Sequence, residues 1–280
     1  MKIKFTKMQA YGNDYVYIDA INQKIEKPNE LAKYVSDRHF AIGSDGMVMI
    51  CPSEVADFRM RMFNPDGTEG EMCGNALRSM SKYVYDHKFT DKTKLTIETL
   101  GGIQHVELFI KDGVAVNIKA NIGEPRLSTK VIPVNTELEE FIEQPVQILD
   151  RVFKISALSW GNPHCVIFLD DVDNFDVEKY GKAIEYKTNV TFAKVVNRNY
   201  IKIREWERGT GETIGCGTGC CTAAVFGVIT GRTDRKVTVE QIGGNLDVEW
   251  NEETNNVFMK GPSHTVFESE INIPDEGEDK

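Results

Sequence analysis

The chain carries one pattern twice. A shift of 143 residues lays Cys73 on Cys216, Gly74 on Gly217, Glu69 on Glu212 and Asn64 on Glu207. FRMRMFNPDGTEGEMCGN then covers KIREWERGTGETIGCGT, and each combines an alternating stretch, a Gly-rich turn and a cysteine. With a one-residue adjustment GGIQHVEL falls on GGNLDVEW, and with six residues of slippage GNDYVYID falls on GNPHCVIFLD. Four blocks in one order constrain the fold more than any local propensity, because each copy must build the same supersecondary unit. At 280 residues, two domains can each bury a core of their own.

Within each copy, apolar residues alternate with period two. The pattern appears at Lys4–Ile18, Phe58–Phe63, Lys94–Thr99, His105–Ile110 and Val114–Ile118. It returns at Phe153–Leu158, Cys165–Leu169, Ile201–Trp206, Val237–Gln241, Leu246–Trp250 and Val257–Lys260. Helical spacing is rarer. Asn29–Phe40 follows Pro28, and Asn75–Lys88 sets Leu77, Met80, Tyr83 and Val84 on one stripe. Thr218–Thr230 is apolar nearly all round and stops at Gly231, so it must be enclosed. These patterns predict an α+β protein of two pseudo-symmetric duplicated domains, each a curved, mostly antiparallel sheet wrapped around a central helix. The first spans 1–122 and the second 123–261, with the seam near Gly123-Glu124-Pro125. A final strand at about 262–273 is free to return to the first half, and 274–280 is an acidic tail.

Composition removes several function classes. A net charge of −10 without a basic cluster argues against a nucleic-acid partner. No apolar run approaches the roughly 20 residues of a membrane span, and the N-terminus lacks a signal-peptide core. Six cysteines without that signal read as reduced thiols in a cytoplasmic protein. Cys51 and Cys165 read as core packing. Cys220 and Cys221 are adjacent, point to different helix faces and lack a C-x-x-C partner, so no metal site is expected.

Cys73 and Cys216 each stand just ahead of a helix start. Unpaired N–H groups and the positive end of the macrodipole lie nearby, a setting expected to draw the thiol pKa from about 8.5 toward neutrality. Inverting a carbon centre needs a base on one face and an acid on the other, and two symmetry-related thiols suit that task. The backbone of Gly74-Asn75 and Gly217-Thr218 offers N–H groups for a substrate carboxylate. Nothing resembles the lysine-plus-phosphate cradle of pyridoxal phosphate, so a route without a cofactor is expected.

In order, KMQAYGNDYVYID, DRHFAIGSDG, FNPDGTEGEMCGNALR, GNPH, KTNVTF and ERGTGETIGCGTGCC resemble the motifs of the diaminopimelate epimerase family. The resemblance covers the chain except its tail. It implies a pyridoxal-phosphate-independent epimerase that converts LL-diaminopimelate to the meso form, with its site in a cleft between two pseudo-symmetric domains. It also implies a small-molecule amino-acid substrate, a cytoplasmic setting in lysine and peptidoglycan precursor synthesis, and a homodimer. Carried onto matching positions, Cys73 and Cys216 are the acid–base pair, and Asn13 binds near the reacting centre. The backbone of Gly74, Asn75, Gly217 and Thr218 holds its carboxylate. Asn64, Asn162, Asn189 and Arg208 grip the distal end, while His164 and Glu207 sit beside the thiols and tune their protonation.

The sequence departs from the family in three places. Ala76 stands where glycine is frequent, Ser44-Asp45-Gly46 lacks the glutamine some members use, and Cys220-Cys221 is unusual. Two other functions compete. A broader amino-acid racemase would leave Arg208 without a second carboxylate to bind. A dithiol redox protein would need a Cys73–Cys216 disulfide, which epimerisation could not tolerate.

Overall fold

Strands form where alternation lets one face of a segment be buried, and that rule accounts for most of this chain. The computed structural model describes residues 2–184 and 187–273. The chain divides into two compact units, Met1–Ala120 with Gly261–Lys280, and Asn121–Lys260. The first contains β1 (Lys2–Ala10), β2 (Asn13–Asp19), β3 (Met47–Cys51), β4 (Phe58–Phe63), β5 (Glu69–Gly70), β6 (Lys94–Thr99), β7 (Gly102–Lys111) and β8 (Val114–Gly123). The second contains β9 (Phe141–Ile148), β10 (Arg151–Ser159), β11 (Pro163–Phe168), β12 (Asn189–Asn197), β13 (Tyr200–Glu207), β14 (Gly211–Thr213), β15 (Lys236–Gln241), β16 (Gly244–Trp250) and β17 (Val257–Gly261). The last described strand, β18 (His264–Asn272), pairs antiparallel with β1.

The two sheets have one topology. In the first unit the strand order is β18-β1-β2-β3-β4-β6-β7-β8, with β5 folded back on β4. In the second it is β9-β10-β11-β12-β13-β15-β16-β17, with β14 on β13. Neighbours are antiparallel except β2–β3 and β4–β6 in one and β11–β12 and β13–β15 in the other. A parallel pair requires a crossover, and each crossover here contains a helix. These are α1 (Pro28–Ser36) and α2 (Gly74–Asp86), then α3 (Val177–Ile184) and α4 (Gly217–Ile229). The 143-residue shift lays the bounds of α2 on those of α4. β18 takes the place beside β1 that β9 takes beside β10.

Each sheet is covered on both faces. Leu31, Ala32 and Val35 of α1 pack on Val16, Ile18, Met47 and Phe63. Val177 and Tyr180 of α3 pack on Cys165, Val190, Phe192 and Trp206. The helices that follow the cysteines are buried more deeply. Every residue from Gly219 to Gly227 of α4 is buried, as its apolar circumference requires.

The observed elements differ from the sequence pattern at identifiable points. The alternating run Lys4–Ile18 is two strands, because Tyr11 and Gly12 both take positive φ (55° and 77°) and close a two-residue hairpin. Helix α1 stops at Ser36, short of Phe40. The Asp37 carboxylate accepts the N–H groups of His39 (2.8 Å) and Phe40 (3.0 Å), a turn that competes with the helix. Strands β3 and β12 escaped the period-two reading because residues facing both sides are buried. Helix α3, at eight residues, was too short to read. The acidic tail expected at 274–280 lies outside the described residues.

Candidate active site

A repeated bracing delivers each cysteine. Arg61 on β4 makes a two-pronged contact to Glu69 on β5 (2.8 and 2.7 Å), and Arg204 on β13 does the same to Glu212 on β14 (2.6 and 3.0 Å). The fork locks the short hairpin before the cysteine. Past the helix, the Gly101 N–H donates to Glu71 O (3.2 Å) and the Gly243 N–H to Ile214 O (2.6 Å), which pins the same loop from its other side. Cys73 and Cys216 are then the N-cap residues of α2 and α4, with extended backbones (φ −135°, ψ 123° and φ −127°, ψ 108°). Their carbonyls accept the first helical bonds, from Leu77 N–H (2.8 Å) and Cys220 N–H (3.0 Å). Each thiol therefore faces the open end of a helix.

Around Cys73 the neighbours are amides, a phenol and one guanidinium. The thiol donates to Asn13 Oδ1 (3.6 Å), and Asn75 Nδ2 donates to the same oxygen (3.3 Å). Asn13 is oriented from behind, since its Nδ2 donates to Asp45 (2.9 Å), which Arg38 holds in turn (2.8 Å). The fully buried Arg78 donates to Asn75 Oδ1 (2.6 Å) and lies over the Tyr11 ring. The Tyr15 hydroxyl lies close enough to the thiol to favour its thiolate. Its ring lies against Gly46, where an added Cβ would collide with Tyr15 and with Phe63 O.

Around Cys216 the neighbours are acidic. Glu207 lies near the thiol, where its charge opposes ionisation, and accepts from Thr213 Oγ1 (2.6 Å). Thr218 Oγ1 lies 3.5 Å from the sulfur, and Cys216 N–H donates to Gln241 Oε1 (2.8 Å). His164 is fully buried, and its Nε2 meets the amides of Asn162 and Asn189 at 3.2 Å each. Asn189 Oδ1 accepts the backbone N–H of Arg208 (2.9 Å), whose side chain is exposed. All six cysteines are free thiols.

The expectation of lowered thiol pKa values is overturned. Burial pushes Cys73 up, although the N–H groups of Ala76 and Asn75, the Tyr15 hydroxyl and the Arg78 charge pull it partway back. Cys216 is pushed well above the ordinary thiol value, first by burial and then by the Glu207 and Glu205 carboxylates. The helix-start effect is present in both, but desolvation of the thiolate outweighs it. Glu207 is itself raised, chiefly by burial.

Among the site residues read from the sequence, Asn13, Asn75 and Cys73 form one cluster, and Asn162, His164, Asn189, Glu207, Arg208, Thr218 and Cys216 fall in the other unit. Asn64, in the first unit, donates to Thr68 Oγ1 in its own turn (2.9 Å). The ring of His164 meets two asparagines. Tyr15, Asp45, Arg78 and Glu205 escaped the sequence reading. A signal existed for two of them: Tyr15 and Glu205 stand two residues from Asn13 and Glu207 on strands, and so share their faces.

A duplicated unit presents one N-capping thiol in each copy. The chain belongs to the diaminopimelate epimerase family, whose sequence pattern it matches over residues 5–128 and 156–266. It is 50% identical over 277 residues to the diaminopimelate epimerase of Methanococcus maripaludis, covering 97% of this chain and 100% of that one. It is 48% identical to that of Acetivibrio thermocellus, with 97% and 99% covered. Among solved structures it resembles a probable proline racemase from Agrobacterium radiobacter (TM-score 0.74, 12% identity, 99% and 94% covered). It also resembles a Bacillus anthracis protein of the PhzF family (TM-score 0.71, 21% identity, 98% and 100% covered). At those identities the likeness concerns the fold. The protein is an isomerase of the epimerase type.

Proposed function

We propose that this protein interconverts LL- and meso-diaminopimelate by two-base proton transfer between Cys73 and Cys216, without pyridoxal phosphate. The observation that carries the reading is the repeat itself: one thiol per unit, each the N-cap of a buried helix, with unlike neighbours. A thiolate takes the α-proton, and the C–H pair remains on carbon as a carbanion delocalised into the carboxylate. Backbone N–H groups at Gly74-Asn75 and Gly217-Thr218 stabilise that developing charge. The second thiol protonates the opposite face, and the pair resets when the first thiol loses its proton to solvent and the second thiolate regains one. A bound α-ammonium adds a cation beside both thiols, joining the Arg78 charge at Cys73.

In this reading Asn13 addresses the reacting centre, while Asn64, Asn162, Asn189 and Arg208 receive the distal amino-acid end. Arg208, exposed and without an ion pair among the described residues, is free to pair with the distal carboxylate. Glu207 holds the Cys216 proton in place. The reading includes a cytoplasmic role in lysine and peptidoglycan precursor synthesis and a homodimer. Among the described residues no helix is long and apolar enough to cross a membrane.

The test is a substrate panel of LL-diaminopimelate, lysine, histidine and proline, run with Arg208→Lys beside the parent. Only diaminopimelate should turn over. The lysine variant, which keeps the charge but loses the fork, should raise KM about tenfold or more. Comparable racemisation of lysine or proline by the parent would contradict distal recognition.

A further inference from the structure

One carboxyl group of the second unit has no place in this scheme. Glu205 on β13 is 2% exposed, and His164 and Thr191 are fully buried. Alternation along β13 sends Trp206 into the core with Cys165 and Phe192, and turns Glu205 and Glu207 to the opposite face, toward α4. Thr191 lies directly across the ladder from Glu205, and His164 directly across from Asn189. An added Cβ at Gly219 of α4 would collide with the Glu205 carboxyl group, so the helix start rests on it. Neither Glu205 oxygen, nor Thr191 Oγ1, nor His164 Nδ1 makes a hydrogen bond among the described residues. Glu205 Oε1 nevertheless stands 3.6 Å from His164 Nδ1, just beyond direct hydrogen-bond length.

A buried carboxyl group with so few partners is costly, and the fold does not demand one. The repeat supplies the control. The position that falls on Glu205 at the 143-residue shift is Met62, also buried on the corresponding strand. An apolar side chain serves there, so the acid at 205 answers a local need.

His164 identifies that need. Asn189 Oδ1 accepts the Arg208 N–H, which leaves the Asn189 amide donating to His164 Nε2. Asn162 Nδ2 points at the same nitrogen. A ring nitrogen that accepts from two amides carries no proton, so the ring proton belongs on Nδ1, the atom that faces Glu205.

We propose that Glu205 is a positioning residue that holds the His164 proton on Nδ1, keeps Nε2 an acceptor for Asn162 and Asn189, and thereby fixes the two amides for the far end of the substrate. The imidazole is then a structural acceptor between two asparagines, with no proton to trade with substrate. The last link rests on the reading of Asn162 and Asn189 as distal-end ligands. The tautomer does not.

The test has two arms. Nitrogen-15 NMR of the imidazoles, with His164 assigned by its loss in His164→Gln, should show the parent with its proton on Nδ1. Glu205→Met, which copies the methionine of the first unit, should release that preference, whereas Glu205→Gln, whose carbonyl still accepts, should retain it. In kinetics Glu205→Met should raise KM for LL-diaminopimelate on the order of tenfold with a smaller change in kcat, and Glu205→Gln should recover most of the loss. A parent His164 protonated on Nε2 would overturn the proposal, and so would a methionine variant with a released tautomer and an unchanged KM. If the methionine variant fails to fold, the parent tautomer and the KM of Glu205→Gln still decide. If the parent turns over no diaminopimelate, the substrate assignment falls while the NMR arm still judges the dyad.

Discussion

Around Cys73 the titratable neighbours are Tyr15 and the buried Arg78, and both make the thiolate easier to form. Around Cys216 they are Glu207 and Glu205, and both make it harder. The backbone that presents the two sulfurs is the same: an arginine–glutamate fork, a pinned loop and a helix opened by the cysteine. The repeat has thus preserved the presentation of a thiol and diverged in the charge beside it. In the two-base reading proposed above, that difference sets the resting protonation of the two thiols apart, while each takes both roles as the reaction runs forward and back. On these causes Cys73 is expected to ionise at lower pH than Cys216.

The largest effect should come from deleting either sulfur. Cys73→Ala and Cys216→Ala should each lower turnover about 10³-fold or more, with circular dichroism and thermal unfolding close to the parent. Normal turnover by either folded variant would break the pairing altogether. A sharper probe is the order of alkylation. With iodoacetamide and peptide mapping across a pH series, Cys73 should label at lower pH than Cys216. In Glu207→Gln the carboxylate that opposes ionisation is gone, so labelling of Cys216 should move to lower pH while Cys73 stays in place. Movement of both, or of Cys73 alone, would show that the two surroundings are not independent. The smallest effect belongs to Tyr15→Phe. The hydroxyl helps the Cys73 thiolate, so its loss should move Cys73 labelling to higher pH and lower kcat by about two- to tenfold, with Cys216 unmoved.

The repeat was legible because backbone requirements are written in residue type and spacing. Gly101-Gly102 against Gly243-Gly244, and Glu69 against Glu212, mark the turn and the fork that both copies need. Period-two strands such as Phe58–Phe63 and Lys94–Thr99 could be read to the residue, since burial alternates along most of each. MVMIC could not, because burial on both faces erases the alternation. The motifs pick out Cys73, Cys216, Asn13 and Asn189, but not the raised pKa of the two thiols. A helix start is visible in sequence, whereas the desolvation that outweighs it depends on what closes over the sulfur. Glu205 was hidden for a related reason. In REWERG it looks like one more surface acid, and only the strand register shows it beneath Gly219 and beside His164.

Whether two bases share the work is decided most directly by hydrogen isotope. LL-diaminopimelate should be incubated with the parent protein in deuterated water, and both α-carbons of substrate and product followed by NMR during the first turnovers. If one thiol takes the proton and the other returns one drawn from solvent, the meso product carries deuterium at its inverted carbon while the remaining LL substrate stays protiated. If a single group removes and returns the same proton, the early meso product retains the substrate's hydrogen, and the paired-thiol mechanism is contradicted.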